Sequence, residues 1–286
     1  MKPKIICEIG CNHKGEIGIA KKMIKVAKEF CNVDIVKFQK RNPKELLSKE
    51  EYSKAHPVPS NSYGSTYGEH REFLEFNLDQ HKILKKYCEE IDVEYSSSVW
   101  DITSAKEIIS LKPKMVKIPS AVNNNLELLK WIFKNYDGEI HISLGMTLKT
   151  EEDSIIKVAR NAKKISNTVL YHCVSGYPVD VEDLHLLEID NLKQRYGEEI
   201  KGIGFSGHHT GIAADISALT IGAKYIERHF TLDRTWKGTD HAASLEPDGL
   251  RRVVRDLKKV NAALRYKDRD ILEIEELQRK KLKYSC

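Results

Sequence analysis

Short runs of β-branched and aromatic residues alternate along this chain with longer segments in which apolar residues recur at helical spacing. The runs predict eight strands, at 4–10, 33–39, 93–99, 114–120, 139–145, 168–174, 200–206 and 223–230. Helical segments follow them at 15–31, 78–91, 102–111, 125–136, 149–165, 182–197, 211–222 and 246–265. Eight strand–helix units in about 265 residues predict an α/β fold, a (β/α)8 barrel.

The near-even spacing of the units favours a closed barrel over a doubly wound open sheet, which also alternates strands and helices. We therefore expect a single TIM-barrel domain over residues 1–286. The segment 40–77 departs from the regular alternation of strands and helices, because it is too long for a simple strand–helix connection. Such an insertion is either a lid over a substrate or a surface loop without a function. Residues 268–286 predict an additional amphipathic helix, which caps the barrel or packs on a partner.

Composition narrows the class of protein. No apolar run reaches the length of a membrane span, and the first residues enter a strand without a signal-peptide pattern, so we expect no membrane contact. Six cysteines without a CxxC pair are typical of reduced thiols in a cytoplasmic protein. The net charge of +5 suits small anionic substrates, whereas the scattered basic residues do not indicate nucleic-acid binding.

Every predicted strand ends in a polar residue, at the edge of the barrel where active sites of this fold lie. These residues are Glu8, Lys37 with Gln39, Ser97 with Ser98, Lys117 with Ser120, Ser143, Ser175 with Tyr177, Ser206 with His208, and Glu227 with His229. A single polar residue at a strand end is explained by its contact with solvent. Polar residues at the ends of all eight strands are not explained in this way. The pattern predicts a single functional site at this end of the barrel.

Two of these residues, His208 and His229, predict a divalent-metal site. They end consecutive strands with one helical segment between them, so both imidazoles emerge at the same rim. Neutral imidazoles are good ligands for divalent metals, although a single strand-end histidine is more often structural. Glu227 shares the strand face of His229, and it either binds the metal or orients an imidazole. His209 is expected to point elsewhere.

Two lysines, Lys37 and Lys117, predict an anion site. Their ammonium groups come from different strands and converge with several serine hydroxyls, a combination that suits phosphate or carboxylate. A barrel-end lysine that extends to solvent and a Schiff-base lysine are the alternatives for either residue. After the last strand, Asp240 and His241 are expected to reach a polyhydroxylated ligand.

The chain resembles the N-acetylneuraminate (sialic acid) synthase family. The resemblance rests on CEIGCNHKG at 7–15, VKFQ at 36–39, VKIPSAVNNN at 116–125, SLGM at 143–146 and the segment 204–247. It implies an enzyme that joins phosphoenolpyruvate to the aldehyde of an N-acetylmannosamine-like sugar. It also implies release of phosphate and of a nonulosonic acid, a divalent metal such as Mn2+ (with Mg2+ or Co2+ as alternatives), and a homodimer.

The resemblance assigns roles to the predicted site residues. It implies a metal on His208 and His229, and a sugar site at Glu8, Gln39, Tyr177 and Asp240, where Glu8 also transfers protons. The phosphoenolpyruvate site would comprise Lys37, Lys117, Ser98, Ser120, Ser143 and Ser206. Ser175 stands where an asparagine is often found at the sugar site.

Two departures from the family pattern concern the acceptor sugar. The segment Ser120-Ala121-Val122 lacks an acidic residue found in relatives, and the sequence ends near Cys286, where the family continues into an antifreeze-like domain. Three alternatives follow: the enzyme accepts a different sugar, it has a separate antifreeze-like protein as a partner, or residues 40–77 or the terminal helix close its site. A non-catalytic sugar-phosphate binder or partner subunit, and a Schiff-base aldolase of the same fold, are the alternative functions.

Overall fold

The computed structural model describes residues 2–284, and its eight parallel strands close into a barrel in the order β1 to β8. This confirms the predicted (β/α)8 fold. The strands are β1 (Lys4–Gly10), β2 (Ile35–Lys40), β3 (Glu94–Val99), β4 (Met115–Ile118), β5 (Glu139–Ser143), β6 (Thr168–Cys173), β7 (Gly202–Gly207) and β8 (Tyr225–His229). Several are one to three residues shorter than the apolar runs that predict them.

The helices alternate with the strands and surround the barrel. They are α1 (Ile17–Lys25), which a π-turn extends to Phe30, α2 (Pro43–Leu46), α3 (Lys49–Ser53), α4 (Tyr67–Leu74), α5 (Leu78–Glu90), α6 (Ile102–Ser110), α7 (Leu126–Asn135), α8 (Lys149–Asn161), α9 (Glu188–Tyr196), α10 (Ala213–Ile221), α11 (Pro247–Ala263) and α12 (Glu273–Leu282). Over residues 2–284, none of them combines the length and the apolar character needed to cross a membrane.

The barrel interior consists of an apolar layer below a polar one. Six buried side chains form the apolar layer: Ile6, Ile35, Met115, Val169, Tyr171 and Tyr225. Because successive strand residues point to opposite faces, the residues two positions further along these strands also face inward. On β1, β2, β4 and β8 these residues are Glu8, Lys37, Lys117 and Glu227. The alternation of the strands thus places charged groups directly above an apolar floor.

The pairing register brings these charged residues side by side. Glu8 is paired with Lys37 on one side and with His229 on the other. Ser98 is paired with Lys117 across β3 and β4. Residues that are far apart in sequence therefore meet in one ring, as the strand-end pattern predicts.

Two helical predictions need particular correction. The helix predicted at 182–197 is a 3-10 turn, Val181–Leu184, followed by α9, because His185 adopts a left-handed conformation (φ 44°) that interrupts the helical path. The terminal helix predicted at 268–286 is the shorter α12, and residues 285–286 of that prediction lie outside the described residues.

The insertion predicted at 40–77 is not a structureless loop. It contains α2, α3, a 3-10 turn at Pro59–Asn61 and α4. Both α3 and α4 begin with a capping box, in which Ser48 and Thr66 accept hydrogen bonds from the backbone amides three residues later. Local capping therefore gives this segment a defined fold against the barrel.

We predict that Leu257→Ala lowers the free energy of unfolding by about 2–5 kcal/mol, because it leaves a cavity in the packed layer between α11 and the barrel. Leu257 is fully buried on the apolar face of α11. Chemical denaturation checks this, with Lys259→Ala on the exposed face of the same helix as the control. Equal stability of the two variants would contradict the packing described here.

Candidate active site

A cavity of ≈ 330 Å³ opens at the carboxyl end of the barrel. The residues that the sequence predicts for the site line it, apart from Ser97 and His241: Glu8, Lys37, Gln39, Ser98, Lys117, Ser120, Ser143, Ser175, Tyr177, Ser206, His208, His229 and Asp240. Glu227 lies among them. The structure therefore brings the predicted residues together, and their individual roles stay predictions.

Two lysines and two glutamates form a buried ion cluster at the base of the cavity. Glu8 forms an ion pair with Lys37, whose Nζ lies 3.8 Å from Glu227 Oε2. Lys117 Nζ donates to the same Glu227 oxygen at 3.1 Å. Each ammonium group thus faces at least one carboxylate, as buried charges require.

Neighbouring side chains hold Glu8, Glu227 and Lys117 of this cluster in place. Gln39 Nε2 donates to Glu8 Oε1, and Ser206 Oγ donates to Glu227 Oε1, both at 3.1 Å. Lys117 Nζ lies 3.3 Å from the centre of the Tyr171 ring, where the electron-rich face stabilises its charge. The lysines are therefore oriented before any ligand arrives.

The four groups of the cluster have different proton affinities. Burial alone would lower the pKa of Lys37, but Glu227 and Glu8 outweigh it and raise that pKa. Burial, assisted by the adjacent Lys37 ammonium, lowers the pKa of Lys117 despite Glu227. Burial alone would raise the pKa of Glu227, but the charges of Lys117 and Lys37 lower it to about 2. For Glu8 the effect of burial is the larger one, and its pKa is raised. Glu227 is thus the permanent counter-ion, and Glu8 is the carboxyl able to hold a proton.

The two predicted metal ligands lie beside each other. The ring centres of His208 and His229 are 5.4 Å apart. His208 Nδ1 donates a hydrogen bond to the Val174 carbonyl at 2.9 Å, so in the neutral ring the proton is on Nδ1 and Nε2 is free to bind a metal. Burial and the neighbouring His229 lower the pKa of His208 to about 4. His229 Nδ1 is buried without a hydrogen-bond partner and lies 3.9 Å from Asp240 Oδ2.

This pair fits a metal that keeps open coordination positions. A neutral imidazole whose other nitrogen donates to a backbone carbonyl is the usual arrangement of a histidine ligand. Within residues 2–284, no group of three or more histidine, cysteine, aspartate or glutamate side chains is arranged to hold a metal ion. The Glu227 oxygens contact Lys117 and Ser206, so the structure gives Glu227 a place in the ion cluster rather than beside the imidazoles.

Serine hydroxyls line the wall beside the lysines. Ser120 Oγ accepts a hydrogen bond from the Gly145 amide at 3.0 Å. A Cβ atom on Gly145 would lie 2.3 Å from Ser175 Oγ, so this turn requires glycine. Asn123 Nδ2 donates to the Ser143 carbonyl at 2.8 Å and holds the end of β5 in place. The hydroxyls are thus positioned by the backbone of neighbouring strands.

The insertion at 40–77, predicted as either a lid or a surface loop, lines the cavity through Arg41, His56, Tyr67, His70, Arg71 and Leu74. None of these residues was predicted individually. Four of them, Tyr67, His70, Arg71 and Leu74, recur at the helical spacing of α4, and this spacing was the available signal. Together they make the insertion a wall of the cavity.

The two arginines of this wall differ in their partners. Arg41 forms an ion pair with Glu75 and donates to Cys11 Sγ at 2.8 Å. Arg71 donates to the Tyr67 hydroxyl and, among residues 2–284, has no carboxylate within ion-pair distance. Arg71 is thus a cavity cation whose charge no described side chain neutralises.

The prediction for His241 is wrong. Its Nδ1 is 2.8 Å from the Thr231 hydroxyl, its ring packs against Trp236, and it is buried beneath the segment that follows β8. Asp240, the preceding residue, does line the cavity. The turn at 239–241 sends the two side chains in different directions.

We predict that Glu227→Gln destabilises the protein by about 3–5 kcal/mol at neutral pH, because it leaves two buried ammonium groups short of a counter-charge. The depressed pKa of Glu227 contributes stability fully above pH 4.5, and this contribution is lost as the pH falls through about 2. Denaturation at several pH values should therefore show a weaker loss of stability on acidification in Glu227→Gln than in the wild type. Glu90→Gln, an exposed change, is the control, and identical acid profiles for all three proteins would contradict the proposed charge balance.

Comparisons with known proteins agree with this geometry. A match to the NeuB family covers residues 23–269. The human N-acetylneuraminate-9-phosphate synthase is 37% identical over 95% of this chain and 74% of its own length. The N,N'-diacetyllegionaminic acid synthase of Campylobacter jejuni is 31% identical over 92% of this chain and 78% of its own length.

A solved structure shows the same architecture. The N-acetylneuraminic acid synthetase of Leptospira borgpetersenii, in complex with citrate, superposes with a TM-score of 0.83 at 25% identity, over 100% of this chain and 94% of that one. Both the sequence match and the fold therefore extend across the barrel. The chain belongs to the NeuB family and is an enzyme of the synthase type that these relatives represent.

Proposed function

We propose that this enzyme condenses phosphoenolpyruvate with the aldehyde of a 2-acylamino aldose of the N-acetylmannosamine type, in a metal-dependent reaction that gives a nonulosonic acid and phosphate. The observation that carries the proposal is the presence, in one cavity, of a buried lysine cluster and two adjacent imidazoles. The first feature suits an anion and the second a divalent cation. The family relationship supports the reaction class.

Phosphoenolpyruvate would occupy the base of the cavity. Lys37 and Lys117 supply two positive charges for its phosphate and carboxylate, and the hydroxyls of Ser98, Ser120, Ser143 and Ser206 supply hydrogen bonds. Because the lysines are already held by carboxylates, little ordering accompanies binding. Glu227, whose pKa is about 2, is the counter-charge that opposes the effect of burial on the pKa of Lys117.

The aldehyde of the acceptor would face the imidazoles. His208 and His229 would hold a divalent metal, most simply Mn2+, which acts as a Lewis acid toward the aldehyde oxygen. The metal, its identity and the roles of the individual residues belong to the proposal. The lowered pKa of His208 means that this imidazole need not lose a proton at neutral pH before it binds a cation.

The bond changes balance with water as the third reactant. The methylene carbon of phosphoenolpyruvate forms a bond to the aldehyde carbon, and the aldehyde oxygen takes a proton from the Glu8–Lys37 ion pair. Water then adds to C2 and returns a proton to this pair. The bond from C2 to the phosphate oxygen breaks, the C2 hydroxyl proton passes to the departing phosphate, and the 2-keto acid remains. The raised pKa of Glu8 suits both transfers.

We infer that the acceptor carries a phosphate at the end remote from its aldehyde, and the cations of the insertion support this inference. Arg41 and Arg71 line the cavity there with His56 and His70, and burial and the nearby cations lower the pKa of His70 to about 4. Guanidinium groups bind phosphate through paired hydrogen bonds. The human relative is named for a 9-phosphate, which corresponds to a 6-phosphate on a six-carbon acceptor once three carbons are added.

An aldolase with a Schiff-base lysine is the second candidate, since the lowered pKa of Lys117 favours the free amine. Borohydride reduction in the presence of pyruvate would trap a covalent adduct only in that case. The homodimer, the separate antifreeze-like partner and the cytoplasmic location stay predictions.

We predict that chelation, or His208→Ala, lowers phosphate release from phosphoenolpyruvate by at least about 100-fold, since Lewis-acid stabilisation amounts to several kcal/mol. Phosphoenolpyruvate binding, measured by calorimetry, should change little because the lysine cluster is intact. Restoring Mn2+ should rescue the chelated wild type but not His208→Ala, with His185→Asn on the surface as the control. Phosphate release that is insensitive to chelation would remove the metal from the proposal.

We predict that Arg71→Met lowers kcat/KM for the 6-phosphorylated aldose by about 10- to 100-fold, the cost of losing charge-assisted hydrogen bonds. Turnover of the same aldose without its phosphate should be nearly unaffected. Lys49→Met removes one exposed charge from the same insertion and is the control. An equal loss for both aldoses would show that Arg71 does not bind the phosphate.

A further inference from the structure

A second buried charge cluster lies on the outer side of β7 and β8, behind the imidazole pair. His208 and His229 face the cavity, and their neighbours His209 and Arg228 face the opposite way, between the barrel and α10. Arg228, fully buried together with Asp215 of α10, is one of the largest buried side chains of the described protein. The mechanism proposed above uses none of these groups.

One guanidinium connects three elements of the structure. Arg228 Nη1 donates to Asp215 Oδ2 at 2.5 Å and to the Gly211 carbonyl at 3.0 Å. The same nitrogen lies 3.0 Å from His209 Nε2, and Nη2 donates to the His209 carbonyl at 2.6 Å. Arg228 therefore ties the end of β8 to the loop after β7 and to the first turns of α10.

These contacts bear directly on the spacing of the two imidazoles. His229 directly follows Arg228 in sequence. His208 directly precedes His209, whose carbonyl and ring contact Arg228. On its other side, His208 is held by the Val179 amide, which donates to its carbonyl at 3.1 Å, and by the Val174 carbonyl. The planar fork of Arg228 thus links the backbone beside one imidazole to the backbone beside the other, in addition to the pairing of β7 with β8.

We propose that Arg228, held by Asp215, is a positioning residue that sets the separation and orientation of His208 and His229 for a divalent cation. The inference rests on the metal role in the proposed function. An aliphatic side chain would fill the same space without a buried charge, so packing alone does not account for an arginine here. Lysine would keep the charge but not the planar fork that reaches two backbone carbonyls and a carboxylate together.

The test is the affinity of the ligand-free protein for Mn2+, measured by electron paramagnetic resonance of the unbound ion. Arg228→Lys should raise the Mn2+ Kd by about 10- to 100-fold, the usual effect of removing a group that orients a metal ligand. Phosphoenolpyruvate affinity should stay within about twofold, because the lysine cluster lies on the inner face. Arg195→Lys is the matched control, since Arg195 of α9 also pairs with a carboxylate, that of Glu152, outside the cavity.

Asp215→Asn is the second variant, for use if Arg228→Lys does not fold, because it keeps the shape of the carboxylate and leaves the guanidinium in place. It should weaken Mn2+ binding in the same direction, with a native circular dichroism spectrum. A folded variant with the wild-type Mn2+ Kd would overturn the positioning role and leave the proposed function intact. A wild-type protein without Mn2+ affinity would instead contradict the metal in the proposed function, and this inference with it.

Discussion

The burial of two lysine ammonium groups above an apolar floor is the constraint around which this barrel is arranged. A cation in such a place needs a carboxylate. The pairing of β1 with β2 brings Glu8 to Lys37, and Glu227 of β8 reaches both Lys37 and Lys117. Gln39 Nε2 and Ser206 Oγ donate hydrogen bonds to the other oxygens of Glu8 and Glu227. Because two ammonium groups face two carboxylates, the charges compensate one another and the cluster can be buried.

Strand alternation explains why so much of the site was predictable from sequence. Once a run such as KIICEIG is assigned as a strand, the inward face is fixed by parity, and Glu8 must follow Ile6 into the interior. The same argument places Lys37 above Ile35 and Lys117 above Met115. The positions of these residues follow from a period of two and from the rule that parallel strands end at one rim.

Residues in turns and loops were less predictable because they have no such period. His241 follows Asp240 in the segment after β8, but a turn sends it to Thr231 instead of the cavity. The helix predicted at 182–197 is divided at His185, whose left-handed backbone no hydrophobic pattern reveals. Arg71 reaches the cavity from α4, a helix whose placement depends on tertiary contacts of the insertion. The sequence predicts the strand face of Glu227 correctly. Its contacts with Lys37 and Lys117 depend on distances across the barrel, which sequence spacing does not give.

The two ends of the cavity have separate origins in the chain. Barrel strands supply the lysines, serines and imidazoles, whereas one inserted segment with its own capped helices supplies the arginine-bearing wall. Because this segment lies outside the eight strands, its side chains can change without a change of strand register. Under the proposed function, evolution could then exchange the surface that selects the acceptor and keep the groups that bind phosphoenolpyruvate, so that one barrel serves for different sugar acids.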